Sequence, residues 1–437
     1  MNSLKPRTYV LGGGVTGLAA GISSGATVLE ATDRPGGICS SYYVQPGENV
    51  WLSQAPRDQE AYRFEIGGGH WIFGGDPTIL HFIQNLAPAN RYQRNSSVYF
   101  ADKRLYVPYP LQNNLWALDS ATAAQALQEL AQPAGPRRTM KEWLRHSFGP
   151  TLSDMFFEPF HALYTGGLYD RIAPQDGYKS PVDIRTAIAG AFGSAEMVGY
   201  NITVLYPHDG LNSLAQRMAA RADVQYGRRV TAIDPVNKVL SFEQGDDLPY
   251  DRLLSTLPLN KMMAMTGLEV EDRPDAYTSV LVLNIGARRG SECPDAHWLY
   301  NPDTRAGFHR VGFYSNVDRS FLPHSMRSAN AGVSIYVERA FPGGQKPTDQ
   351  EVASYSDAVV SELQEWGFIG DAEVVDPTWI DVAYTWAWPD SRWKPTALKC
   401  LQEHDIFQVG RYARWIFQGI ADSIRDGFYA GSSLRTW

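Results

Sequence analysis

The chain has 437 residues, with 39 Lys and Arg against 47 Asp and Glu, a formal net charge of −8. Its 44% hydrophobic and 20% charged content excludes wholesale disorder, and its length exceeds what one hydrophobic core fills. An acidic chain with no basic arm argues against nucleic acid as a partner, because phosphate neutralisation supplies most of that affinity.

The segment Met1 to Arg7 is polar and leads straight into an apolar run, without the charged, apolar and cleavage regions of a signal peptide. No run approaches the roughly 18 apolar residues of a spanning helix. Cys39, Cys293 and Cys400 are widely spaced and form no C-x-x-C, so a reducing cytoplasm is the expected compartment. Histidines are scattered without an H-E-x-x-H, and Cys400 with His404 makes only a pair of ligands. No metal is expected.

Thr8-Tyr9-Val10-Leu11 reads as a strand, followed by Gly12-Gly13-Gly14-Val15-Thr16-Gly17-Leu18-Ala19-Ala20, a turn that opens a helix. Gly12, Gly14 and Gly17 have G-x-G-x-x-G spacing. Gly12 permits the tight turn, Gly14 lets the backbone approach a pyrophosphate, and Gly17 allows close helix–sheet packing. The helix start, with Thr16 in its first turn, offers N–H groups and a partial positive charge to phosphates. The next strand, Ala26 to Leu29, ends in Glu30, an acceptor for ribose hydroxyls. Arg34-Pro35-Gly36-Gly37 and Gly67-Gly68-Gly69-His70 add two more glycine clusters. They imply backbone close to a long, extended cofactor, FAD rather than NAD; two ordinary turns are the plainer alternative.

From Leu115 to Gly166 the pattern is helical, with apolar residues at three- and four-residue intervals over 123–130 and 140–147. Residues 224–233 read as a strand pair, and Leu253 to Leu257 as a buried strand ended by Pro258. Short β runs follow at 280–285, 309–314 and 332–337, then an amphipathic helix over about 350–366. Ile406 to Val409 is a strand entering Gly410-Arg411, and a helical run over 421–429 closes the chain. That helix's N-terminus is suited to lie against an electron-rich ring.

The glycine clusters and Gly410-Arg411 resemble the amine-oxidase and protoporphyrinogen-oxidase superfamily of FAD proteins. Several segments resemble the UDP-galactopyranose mutases, especially their eukaryotic branch. Gly68-Gly69-His70-Trp71-Ile72-Phe73 is similar to that family's histidine loop over the flavin. Val107-Pro108-Tyr109-Pro110-Leu111-Gln112-Asn113-Asn114 resembles its uridine segment, where an aromatic ring stacks on uracil and a glutamine reads the polar edge. His297-Trp298-Leu299-Tyr300 through Phe308-His309-Arg310 resembles a segment whose tyrosine and arginine bind diphosphate. Gly410-Arg411-Tyr412-Ala413-Arg414-Trp415 resembles the C-terminal flavin motif. The resemblance runs in order through most of the chain and is weakest over 340–380.

With the glycine pattern, the resemblance implies an α/β fold. Its Rossmann-like FAD-binding domain, of the glutathione-reductase-2 type, is cut into 1–110, 201–260 and 401–437. A helical substrate or lid domain spans 111–200, and an antiparallel β-sheet substrate domain with a helix spans 261–400. Cofactor contacts are expected at Gly12, Gly14, Thr16, Gly17, Glu30, Arg34, Gly36, Gly37, Gly69, His70, Val230, Gly410 and Arg411. Substrate contacts are expected at Phe73, Tyr109, Gln112, Lys179, Asn201, Tyr300, Arg310, Trp388 and Phe417, with His70, Arg310 and Lys179 in catalytic roles. Lys179 stands where the family has a second diphosphate arginine, keeping the charge but losing the fork. Trp388 and Phe417 stand where it has phosphate-binding tyrosines; Phe417 has no hydroxyl and Trp388 only an indole N–H.

The implied activity is a non-redox interconversion of pyranose and furanose forms of UDP-galactose or a relative, through an adduct between the sugar and N5 of reduced FAD. NAD(P)H or another reductant would first reduce the flavin. Such an enzyme supplies galactofuranose for cell-surface glycans, and an oligomer is compatible with it. No Ser-His-Asp set or carboxylate pair is visible, which suits chemistry carried by a cofactor. The rival expectations are an FAD-dependent oxidoreductase of the amine-oxidase or protoporphyrinogen-oxidase type and a non-catalytic nucleotide-sugar or flavin-binding protein.

Overall fold

A computed structural model describes residues 6–132, 135–175, 177, 180, 182–193, 198–199, 201–328 and 331–434. Two β systems organise them. The first is a five-stranded sheet in the order Val224–Gln225, Thr27–Leu29, Thr8–Leu11, Arg252–Ser255, Ile406–Gln408. Every neighbouring pair is parallel. Val10, Val28 and Leu253 are fully buried, as parallel strands covered on both faces require. The strands come from the start, middle and end of the chain, so this sheet is discontinuous in sequence.

The helix Val15–Ser24 leaves the first strand with Gly14 at its N-cap and no side-chain cap. The last helix, Ile420–Leu434, packs along it through small residues. A Cβ at Gly427 would lie 2.2 Å from the Thr16 carbonyl oxygen, and one at Gly431 2.4 Å from that of Ala20. The close approach of these backbones fixes where the C-terminal helix begins.

The second system is a seven-stranded sheet in the order Ile369–Thr385, Tyr277–Arg289, Gly332–Pro342, Arg310–Phe313, Trp298–Tyr300, Ser96–Phe100, Leu105–Pro108. All pairs are antiparallel except Trp298–Tyr300 with Ser96–Phe100. Residues 96–108 therefore run in this sheet, and the boundary expected at residue 110 falls after two of its strands instead of before them. The helix Asp349–Glu365, with a Thr348/Glu351 capping box, packs against Ile369–Thr385. The helices Ser120–Leu130, Met140–Leu152 and Glu158–Tyr164 form the separate helical layer, with Leu144, Phe148, Phe156 and Phe157 at its core.

One buried polar network ties the small hairpin Ser41–Val44/Tyr62–Glu65 to its surroundings. Glu65, fully buried, accepts from Ser41 Oγ at 2.8 Å and from the Tyr206 hydroxyl. Ser41 Oγ in turn accepts from the Leu211 amide at 2.9 Å. Burial outweighs these bonds and pushes the Glu65 carboxyl up to about 7. An acid raised on folding contributes stability that is full below its unfolded value and is lost as pH rises through the folded one. Thermal stability should therefore fall between about pH 5 and pH 8, and Glu65→Gln should flatten that slope. Melting curves at the two pH values read this directly, and an unchanged slope in the variant would exclude Glu65 as its source.

Candidate active site

A groove opens where the first sheet ends. Gly12, Gly14, Thr16, Glu30, Gly36, Gly37, Cys39 and His70 line one side; Thr256, Val409, Arg411, Gln418, Gly419 and Ile420 line the other. Gly12 takes φ +95°, and a Cβ there would lie 2.5 Å from Thr256 Oγ1. Glu30 Oε2 accepts from the Gly13 amide at 2.7 Å, and Oε1 from the Thr32 amide and hydroxyl, each at 2.8 Å. A carboxylate has about four acceptor positions, so Glu30 braces the glycine turn and keeps about one for a ligand.

A second hollow continues from the groove past His70, Arg411 and Gln418. Trp71, Phe73, Asn201, Arg310, Tyr336, Glu338, Tyr384 and Phe417 line it. A Cβ at Gly69 would lie 2.2 Å from the Tyr336 hydroxyl, so only glycine lets the His70 loop pass this ring. The His70 pKa is lowered to about 4, first by burial and then by Arg411. The ring is neutral at pH 7 and works as a hydrogen-bonding group, not as a cation.

Asn201, Arg310, Tyr384 and Phe417 also border a third hollow, walled by Tyr109, Phe156, Phe157, Phe160, Tyr164 and Tyr300. Phe156 and Phe157 sit in a π-helical turn, Ser153–Phe157, an insertion that recurs at functional sites. Tyr109 and Tyr300 lie 4.6 Å apart at 45°, and the Tyr109 hydroxyl pairs with Ser180 Oγ at 2.7 Å. Asn201 Oδ1 accepts from Arg94 Nη1 at 2.7 Å; Arg94 also reaches the Tyr109 carbonyl at 3.3 Å. Arg94 thus fixes two candidate ligand contacts at once.

Arg310 stands between the two hollows. Its Nη2 meets both oxygens of Glu338, at 2.5 and 2.6 Å, and lies 3.5 Å from the Tyr384 hydroxyl. Its Nε is buried without a partner among the described residues. Beside this guanidinium the Glu338 carboxyl is held down at about 2 despite its burial.

Several expected contacts fall elsewhere. Phe73 stacks on Phe417, 6.3 Å away at 9°, in the second hollow and not beside Tyr109. Gln112 is fully buried and is not among the residues that line the third hollow. Arg34 lies outside the groove wall and pairs with Asp33 at 3.0 Å; Val230 opens a neighbouring strand and Gly410 backs onto Thr16. Trp388 requires correction: its Nε1 donates to the Pro274 carbonyl at 2.9 Å and its ring lines a separate surface hollow with Arg273. Tyr384, by contrast, lines both inner hollows. Lys179 lies outside the described residues.

A family model described as flavin-containing amine oxidoreductase matches residues 18–279. The chain belongs to that family. Its structure is similar to reduced UDP-galactopyranose mutase, at 20% identity and a TM-score of 0.82, over 99% of this chain and 96% of that one. It is also similar to a CLA-producing fatty acid isomerase from P. acnes, at 17% identity and TM-score 0.57, over 99% and 98% of the two chains. Wild-type putrescine oxidase bound to putrescine matches at 14% identity and TM-score 0.58, over 99% and 100%. The α/β fold with its antiparallel substrate sheet is shared by an oxidase and isomerases, so the chemistry has to be argued from the site. The groove fits the family's flavin. Its glycine turn leaves no side chain at the helix cap, and the first turn of Ile420–Leu434 faces it. Among the described residues no set of three metal-ligand side chains occurs, and no helix is long and apolar enough to cross a membrane.

Proposed function

We propose that this flavoenzyme binds FAD in the groove and interconverts the pyranose and furanose forms of a UDP-linked sugar, galactose or a relative, held across the two inner hollows. One observation carries this reading: the charge of the inner walls. Arg310 and Arg411 face a single carboxylate, Glu338, among the described lining residues. That balance favours an anion and opposes a cationic amine.

Gly12, Gly14 and the start of Val15–Ser24 would hold the FAD pyrophosphate, and His70, Arg411 and the start of Ile420–Leu434 would flank the flavin ring. When bound and reduced, by NAD(P)H or another donor, the flavin would supply the nucleophilic nitrogen that displaces the diphosphate from the sugar, so the chain needs no nucleophile of its own. Arg310 stabilises the charge that develops on the departing diphosphate. The Tyr384 hydroxyl, 3.5 Å from Arg310 Nη2, adds a neutral donor. Asn201, its carbonyl oxygen held by Arg94, presents its amide N–H to a sugar hydroxyl. Tyr109 offers an aromatic face to the base, and the Tyr300 hydroxyl a further donor to the diphosphate beside Arg310. These groups hold the leaving group, sugar and ring in line.

The deciding experiment incubates dithionite-reduced protein with UDP-galactofuranose and follows UDP-galactopyranose by chromatography. Conversion is expected only in the reduced state and without net oxidation. No conversion of any UDP-hexose, together with steady oxygen uptake on an amine, would establish the oxidase instead. A finer check separates Tyr384 from Trp388. Tyr384→Phe should weaken UDP binding about two- to tenfold, the loss of one neutral hydrogen bond, and Trp388→Phe should leave it unchanged.

A further inference from the structure

Beside Arg310 lies a histidine with no task so far. His309 is 1% exposed and borders the aromatic hollow. Its Nε2 is 3.4 Å from Glu338 Oε2 but not aligned as a hydrogen bond, and its Nδ1 has no partner among the described residues. Arg310 already occupies both oxygens of the same carboxylate. Among the described residues, the other titratable groups facing the hollow beside Arg310 are Tyr164 and His161 from Glu158–Tyr164, Tyr300 from Trp298–Tyr300, Tyr384 from Ile369–Thr385, and Tyr109. Arg339, next to Glu338, instead lies over Phe341 and Tyr355. Glu338 is thus the one carboxylate beside the imidazole among the described residues.

We propose that His309 is a second ligand for the substrate's diphosphate and takes up one proton from solvent when that ligand binds. This rests on the nucleotide-sugar reading of the same site. A diphosphate diester brings two negative charges to walls whose arginine is already half-spent on Glu338. Arg310, Arg411 and a protonated His309 then balance Glu338 and the two phosphates. In the free protein, burial first and Arg310 second hold the imidazole below its ordinary value, against the pull of Glu338, so it is neutral at pH 7. An anion within reach reverses that preference.

Below the free-state value His309 is already charged and pH has no effect. Above it, binding draws in a proton, and affinity falls by up to about tenfold per pH unit until the bound-state value is passed. UDP-galactose suits the test because its diphosphate diester does not titrate between about pH 5 and 8.

Titration calorimetry of the flavin-loaded, oxidised protein with UDP-galactose, in two buffers of different ionisation enthalpy, counts the protons taken up. The wild type should take up close to one per ligand within the window. His309→Gln and His309→Tyr, which keep the site filled, should take up none and show a flat pH profile. Binding without proton uptake in the wild type, or uptake preserved in both variants, would overturn the proposal. Inorganic sulfate, fully ionised in this range, separates the proposal from the reading beneath it. If sulfate binds with His309-dependent uptake and UDP-galactose does not bind, the anion site stands and the nucleotide-sugar reading fails. If neither binds, both fail.

Discussion

Arg310→Ala should weaken UDP binding by about 100-fold or more and lower stability by about 3–5 kcal/mol. Both effects have one origin. The guanidinium is 22% exposed and its carboxylate partner Glu338 only 2%. Removing the arginine leaves a buried carboxylate with His309 as its one remaining basic neighbour among the described residues, and breaking such a pair costs far more than the pair contributes. The inner walls also change from two arginines against one carboxylate to one against one. A charge-assisted hydrogen bond is worth about 1.5–3 kcal/mol, roughly 10- to 150-fold in affinity, before the exposed repulsion of Glu338 is added.

Two further variants separate the causes. Arg310→Ala with Glu338→Ala should recover much of the stability, because no buried charge is left unpaired, yet recover only the part of the affinity lost to the repulsion of Glu338. Arg310→Lys should fall between, keeping the charge but losing the planar set of donors of which Nη2 alone meets both Glu338 oxygens. Thermal unfolding reads the first property and UDP titration against flavin fluorescence reads the second. UDP affinity within about twofold of wild type in the double variant would remove Arg310 from the diphosphate site.

The part of this site visible in the sequence is the part whose chemistry needs particular residues at short spacing. The glycine turn, Glu30 and the C-terminal Gly410-Arg411 stand in local patterns, and Arg310 stands out as a charge among apolar strand residues. Glu338 is hidden by the opposite logic. Residues 332–337 read as an apolar strand that stops at the charged pair Glu338-Arg339, whereas the strand runs on to Pro342 and places Glu338 directly across from Arg310. Tyr384 is hidden by Pro377, which argues against a central strand. Ile369–Thr385 lies at the edge of its sheet, where a missing N–H is tolerated. The family resemblance instead aligns Trp388, three residues beyond the strand's end, with the expected tyrosine. Arg94 carries no local pattern at all; its importance comes from Asn201 and Tyr109, which only the fold brings to it.

Gly17→Ala should abolish flavin retention, although it adds a single methyl group. A Cβ at this position would sit 1.9 Å from the Gly12 carbonyl oxygen and 3.1 Å from its carbon, where 3.4–4 Å is ordinary contact. The obstacle is backbone, so no side chain can rotate away. Relief requires the helix Val15–Ser24 to move off the strand that precedes it. Its other side is closed by Gly427, whose Cα already abuts the Thr16 carbonyl. The displacement therefore falls on the turn between Gly12 and Gly14 and on Glu30, which is bonded to the Gly13 amide. These groups form one wall of the cofactor groove. Overpacking of this kind costs about 1–3 kcal/mol in stability, which a chain of this size survives. Loss of the groove's shape is less forgiving, because backbone contacts to a pyrophosphate need close approach. The purified variant should carry less than about a tenth of the wild-type flavin absorbance per protein, and added FAD should not restore it. Gly193→Ala is the matched control: a Cβ there meets nothing within 4 Å among the described residues, and its φ of 172° is extended backbone open to any residue. Full flavin content in Gly17→Ala would show that this turn does not carry the cofactor, and the groove would need another occupant.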